Sequence, residues 1–147
     1  MNIHSQKIYD TIVVGAGISG LSAAYHLKKF SPKAEFLVLE GRDNFGGTWD
    51  FFKYPGIRSD SDMHTLGFSF KPWNSRKFIA DGPAIMNYLD ETIKENNLKD
   101  LIKFNMHIES ASWNSADSLW ELSINNKKLN KLEIIKTKFI QTVSYTH

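Results

Sequence analysis

The apolar positions along the chain change their period from element to element. In Ile8-Tyr9-Asp10-Thr11-Ile12-Val13-Val14 they are nearly continuous and β-branched, the pattern of a short strand buried on both faces of a parallel sheet. Leu21, Ala24 and Leu27 then recur at helical spacing. They predict a helix from Leu21 to about Phe30, ended by Pro32. Glu35-Phe36-Leu37-Val38-Leu39-Glu40 predicts the next strand. Strand, tight turn, helix and parallel strand make a βαβ unit over residues 8–40.

From Gly41 to Asp81 the periodicity disappears. The stretch holds Gly46-Gly47, Pro55-Gly56, Gly67 and Pro72 among many aromatic residues. Its aromatic content argues against disorder, and a loop of this length inside a domain points to function. Asp81-Gly82-Pro83 reads as a helix start, with Asp81 as cap and Pro83 in the first turn. Ile85, Leu89 and Ile93 form an apolar stripe in a helix over 82–98. Strand candidates follow near 102–107, 108–113, 119–124 and 134–140, separated by turn signals at Asn114-Ser115-Ala116-Asp117-Ser118 and Asn125-Asn126. The expected fold is α/β: a Rossmann-like, doubly wound dinucleotide-binding domain over 1–141 with a small antiparallel β-meander at 102–140.

Composition narrows the function classes. The chain has 147 residues, 41% hydrophobic and 23% charged, within the range of one soluble domain. A net charge of +2 with interspersed signs gives no nucleic-acid surface. The absence of cysteine excludes disulfides, thiolate catalysis and Cys-ligated metals. Five scattered histidines, His64 and His107 among them, give no metal site. No apolar run has membrane length and no signal peptide opens the chain, so a cytoplasmic protein without a transmembrane segment is expected.

The chemistry begins at Gly15-Ala16-Gly17-Ile18-Ser19-Gly20, a GxGxxG run between a strand and a helix. In a dinucleotide site Gly15 allows the tight turn, Gly17 removes the Cβ that would block a pyrophosphate, and Gly20 lets helix and strand pack closely. The helix N-terminus offers unpaired N–H groups and partial positive charge to phosphates. Glu40, at the end of the second strand, is placed to accept hydrogen bonds from a ribose diol. A carboxylate there repels a 2′-phosphate, which selects FAD or NAD over NADP at this turn. The competing structural reading is a tight βα turn with no ligand.

Gly46-Gly47-Thr48-Trp49-Asp50, then Tyr54-Pro55-Gly56-Ile57-Arg58-Ser59-Asp60-Ser61-Asp62-Met63, then Thr65-Leu66-Gly67-Phe68-Ser69-Phe70-Lys71-Pro72-Trp73 resemble the N-terminal part of class B flavin monooxygenases. Within these the run is most similar to the Baeyer–Villiger type, in the branch of the ethionamide-activating monooxygenase. The resemblance extends from about Tyr9 to Ile140. It implies FAD as prosthetic group, NADPH as electron donor in the full-length parent, O2, and a ketone or thio-compound substrate oxidised through a C4a-peroxyflavin. By position it implies that Gly15, Gly17, Ser19, Gly20 and Glu40 hold the ADP half of FAD. Gly47, Thr48, Trp49, Asp50 and Phe51 would lie along the dinucleotide towards the flavin. Arg58, Ser59 and Asp60 would sit where flavin and nicotinamide meet, with Arg58 and Asp60 as the catalytic pair. The backbone of Ile108 would meet the adenine.

Arg58 and Asp60, two residues apart in a loop pinned by Pro55-Gly56, are able to pair, and a guanidinium near the flavin would favour its anionic forms. A surface ion pair is the structural alternative. For the aromatics Trp49, Phe51, Phe52, Tyr54, Phe68, Phe70 and Trp73, core packing competes with a pocket-lining role. Lys127, Lys128, Lys131, Lys136 and Lys138 read as the solvated side of a hairpin, and Trp113 with Trp120 as a cross-strand pair. One GxGxxG is present where the family uses two, and Thr142-Val143-Ser144-Tyr145-Thr146-His147 departs from the family pattern. The expectation is therefore a truncated FAD-binding domain that is inactive alone. Two alternatives stand beside it: an N- or S-oxygenating parent, and a non-catalytic FAD- or NAD-binding module.

Overall fold

A computed structural model describes residues 7–51, 67–71, 73 and 81–142. Strand β1 (Ile8–Val14) leads into helix α1 (Ile18–Phe30), and β2 (Phe36–Leu39) returns parallel to β1 with Val13 opposite Val38. Every residue of β2 is buried, as its unbroken apolar run requires. Helix α1 starts three residues before the expected Leu21, because Gly17 already serves as its N-cap. Lys28 and Lys29 occupy its last turn, where cations suit the helix dipole. A four-residue helix α2 (Thr48–Phe51) follows the second glycine pair.

Helix α3 (Gly82–Glu95) forms as its start signal predicts: the Asp81 carboxylate accepts the Ala84 N–H at 2.9 Å, and Pro83 stands in the first turn. Ile85, Leu89 and Ile93 are its buried stripe. It is shorter than expected because Asn97, at φ 54°, turns the chain and a 3-10 turn (Lys99–Leu101) follows. Lys28 of α1 donates to the carbonyls of Asn96 and Asn97 at 3.1 and 2.8 Å, tying the two helices together.

The region expected to be a small antiparallel meander is part of one six-stranded sheet, ordered β3-β2-β1-β6-β5-β4 among the described residues. Strand β3 (Ile102–Lys103) pairs parallel with β2, and β4 (Met106–Asn114) begins after a turn. The break falls at Asn105, φ 60°, and not between His107 and Ile108. Ile102, Phe104, Met106 and Ile108 alternate without interruption, so the period conceals the turn. Strand β5 (Leu119–Asn126) pairs antiparallel with β4 and with the first half of β6 (Lys131–Thr142). The second half of β6 pairs parallel with β1. At Thr137 both partners meet, Trp120 on one side and Tyr9 on the other.

Two cores result. On one face α1 and α3 cover Val13, Phe36, Val38 and Ile102 through Leu21, Ala24, Ile85 and Leu89. On the other, Leu122, Ile124 and Ile135 of the antiparallel strands close over Tyr9, Ile12, Leu37 and Leu39. Each fully buried aliphatic side chain contributes about 1.5–3 kcal/mol relative to exposure. The architecture is the expected α/β Rossmann-like one, with the meander covering a face that doubly wound sheets usually give to helices. No described helix is long and apolar enough to cross a membrane.

Candidate functional site

The site forms where β1 ends. Gly15 has a φ of 97°, in the left-handed region that side chains disfavour, and its N–H donates to Leu39 O at 2.9 Å. Gly20 stands so close behind that a Cβ would overlap the Gly15 carbonyl. Gly17 is different. Its φ of −84° suits any residue, and a Cβ there would make only ordinary contact with Gly47. Among the described residues, neither backbone nor packing demands a glycine at 17. A pyrophosphate lying on the open side of the turn would demand one.

The second glycine pair stacks on the first. The Gly46 N–H donates to Ala16 O at 2.8 Å, and a Cβ on Gly47 would come within 3.2 Å of Gly17 Cα. Gly46 has φ 109° and Gly47 φ 53°, so both need glycine for conformation as well as space. Two loops distant in sequence thus bring bare Cα atoms together at one sheet end, beside the N-terminus of α1, a setting that suits an anionic group.

Glu40 is buried at the edge of this turn. Its Oε1 accepts the Ala16 N–H at 2.8 Å and its Oε2 the Arg42 N–H at 3.0 Å. A carboxylate has about four acceptor positions, and among the described residues these bonds use two of them. Beyond it, the Arg42 guanidinium lies 2.8 Å from Asp50 Oδ2 and Asn44 Nδ2 donates to Asp50 Oδ1 at 3.0 Å. Asp50 is buried at 3% exposure. Arg42 also lies over the Phe51 ring, 5.1 Å from its centroid.

Of the residues expected from sequence, Gly15, Gly17, Gly20, Glu40 and Gly47 come together. Ser19, in the first turn of α1, lines an open groove of 410 Å³ with Ser22, His26 and Gln141. Thr48, Trp49, Asp50 and Phe51 form α2, directly after the second glycine pair; Trp49 packs on the helix-side core and Phe51 is exposed. Ile108 lies on β4 opposite Ile124. Two residues before it, the Met106 N–H donates to Glu40 O at 2.9 Å, placing the start of that strand against Glu40. Arg58, Ser59 and Asp60 lie outside the described residues, as do Phe52 and Tyr54.

Sequence reasoning passed over Arg42 and Asn44, whose partner Asp50 becomes visible only once the segment folds back on itself. It also read Lys127 as merely solvated. Lys127 is exposed, yet its Nζ donates to Gly41 O at 3.0 Å, 86 residues away, and its N–H to Asn105 O at 2.8 Å. The β5–β6 hairpin is thereby docked beside Glu40. Phe68 and Trp73, read as core aromatics, are buried around Tyr88 of α3. The Tyr88 hydroxyl accepts the Phe68 N–H at 2.9 Å and donates to Lys71 O. Burial raises the Tyr88 phenol above its ordinary pKa.

Residues 13–91 match the NAD(P)-binding Rossmann-like domain. The chain is 53% identical over 116 residues to the FAD-containing monooxygenase EthA of Mycolicibacterium smegmatis, covering 79% of this chain and 24% of that protein. Among solved structures it resembles an oxidised steroid monooxygenase bound to NADP (TM-score 0.84, 26% identity, 94% of this chain, 26% of the other). It also resembles cyclohexanone monooxygenase in its closed form (TM-score 0.82, 26% identity, 93% and 26%). The chain spans about a quarter of the length of these relatives.

Proposed function

We propose, from the premise that this chain belongs to the NAD(P)-binding Rossmann-like domain family and corresponds to the N-terminal quarter of FAD-containing monooxygenases, that it is the FAD-binding part of an NADPH- and O2-dependent flavin monooxygenase. The carrying observation is Gly17, a glycine that packing among the described residues does not require, set between a second glycine loop and the buried Glu40 carboxylate. The residues present fit the ADP half of FAD.

In this reading the Gly15–Gly20 turn and the N-terminus of α1 hold the pyrophosphate, whose charge the helix dipole offsets. Gly46 and Gly47 close over it without side chains. Glu40 accepts the ribose hydroxyls and turns away a 2′-phosphate, so NADPH binds elsewhere in the parent. The Ile108 backbone meets the adenine, and Ser19, Thr48, Trp49 and Phe51 border the dinucleotide. Arg58, Ser59 and Asp60 serve the flavin–nicotinamide end, Arg58 and Asp60 as the catalytic pair. When bound, FAD supplies electron transfer from NADPH to O2 and oxygen insertion into the substrate. A ketone substrate, and so Baeyer–Villiger oxidation, is supported by the likeness to cyclohexanone monooxygenase; a thio-compound is the alternative. Turnover belongs to the longer parent, since the chain carries a single GxGxxG turn.

The test is a titration of the purified 147-residue chain with FAD and with NAD, followed by NADPH oxidation in air. FAD binding without NADPH consumption is the expected result. Steady NADPH oxidation would overturn the view that turnover needs the rest of the parent. Binding of NAD but not FAD would instead favour a non-catalytic nucleotide module.

A further inference from the structure

The bonds around the glycine loops close into a ring. The Ala16 N–H reaches Glu40, and Glu40 accepts the Arg42 N–H. The Arg42 guanidinium meets Asp50, whose N–H donates to Gly47 O at 3.1 Å. The Gly46 N–H returns to Ala16 O. Within this ring the Arg42–Asp50 link joins two side chains.

Asp50 is a buried carboxylate, and burying such a charge is costly unless it is paired and hydrogen-bonded. Both of its oxygens have protein partners, Asn44 on Oδ1 and Arg42 on Oδ2. Its Cβ also lies directly beneath Gly46, 3.2 Å from where a Cβ would stand on that glycine. Asp50 therefore braces the second glycine loop from below, and Arg42, whose N–H holds Glu40, connects that brace to the acid. Resting on the FAD reading above, we propose that Arg42 and Asp50 are a pair of positioning residues that set the second glycine loop against the first at the spacing a full dinucleotide needs. Their work falls on FAD, which must lie against both loops at once. It falls little on a mononucleotide held at the ribose end, where Glu40 keeps its bond to Ala16.

Calorimetric titration of the 147-residue chain with FAD and with AMP tests this. Arg42→Met and Asp50→Asn each weaken FAD about tenfold or more, as loss of one partner of a buried charge pair implies, while AMP affinity changes by less than about threefold. The double variant binds FAD no worse than the weaker single variant. Arg42→Lys, which keeps the charge, recovers most of the loss. If Arg42→Met does not fold, as judged by circular dichroism, Asp50→Asn and Arg42→Lys carry the comparison. Equal loss of FAD and AMP affinity would mean a general structural role and overturn the proposal, as would unchanged FAD affinity in the variants. Failure of the wild-type chain to bind FAD would instead sink the functional reading, and this proposal with it.

Discussion

A Cβ built on Gly20 would lie 1.8 Å from the carbonyl oxygen of Gly15, whereas one on Gly17 would meet, among the described residues, nothing closer than Gly47 Cα at 3.6 Å. The two glycines of one motif therefore differ in what the fold asks of them: Gly20 is required by packing, and in the proposed reading Gly17 answers to the ligand. Gly20→Ala has to separate α1 from the end of β1, at a cost of about 3 kcal/mol or more. Gly17→Ala, at an N-cap, costs about 1 kcal/mol or less, yet places a methyl group where the pyrophosphate would lie. Thermal melts and FAD titrations of both variants separate the effects. A Gly17→Ala chain that binds FAD as tightly as wild type would mean the pyrophosphate lies elsewhere.

Glu40 carries a second prediction. Glu40→Gln keeps a carbonyl oxygen for the Ala16 N–H but halves the acceptor capacity and removes the charge. FAD affinity is expected to fall about tenfold, the value of one or two hydrogen bonds to a charged group. The preference for NAD over NADP narrows at the same time, because the repulsion of a 2′-phosphate is gone. An unchanged NAD-to-NADP ratio by competition titration would show that Glu40 does not face the ribose.

The first strand, the first glycine turn and Glu40 were legible because each is set by local rules: a buried apolar run, a forced φ, and an acid at a strand end. The stripe of Ile85, Leu89 and Ile93 was legible for the same reason. The role of β6 was not. Its apolar pattern says strand, but the pairing of Ile12 with Ile140 and of Ile124 with Glu133 depends on partners far apart in the chain. The Arg42–Asp50 pair was hidden similarly, since neither residue stands in a helical or strand period that would bring them together. Lys127 shows the limit most plainly: an ordinary hairpin lysine by sequence, it reaches the carbonyl next to Glu40.

Tyr88→Phe tests how the segment 67–71 is held. The change removes the hydroxyl that accepts the buried Phe68 N–H and donates to Lys71 O, leaving both backbone groups without that partner. The expected loss is about 1–3 kcal/mol, read as a lower denaturation midpoint with an unchanged slope. Ring packing against Phe68 and Trp73 is retained, so a much larger loss or a changed slope would contradict a simple hydrogen-bond role.

Asp10 gives the chain a pH-dependent tie between strands. Its Oδ2 accepts the Glu35 N–H at 2.8 Å, at the start of β2, and its Oδ1 lies 3.3 Å from Lys138 Nζ on β6. The backbone hydrogen bond from Glu35, and then Lys138, hold its pKa below the ordinary carboxylate value. A carboxylate depressed in the folded state contributes stability above its unfolded pKa and loses it as pH falls through the folded value. The melting-temperature gap between wild type and Asp10→Ala is therefore constant from neutral pH down to about pH 5 and closes below about pH 4. Added salt at neutral pH narrows the gap mainly by the Lys138 share, because salt screens the exposed ion pair more than it weakens a short backbone hydrogen bond. A gap that persists undiminished at pH 2 would show that the aspartate stabilises the β2–β1–β6 part of the sheet without its charge.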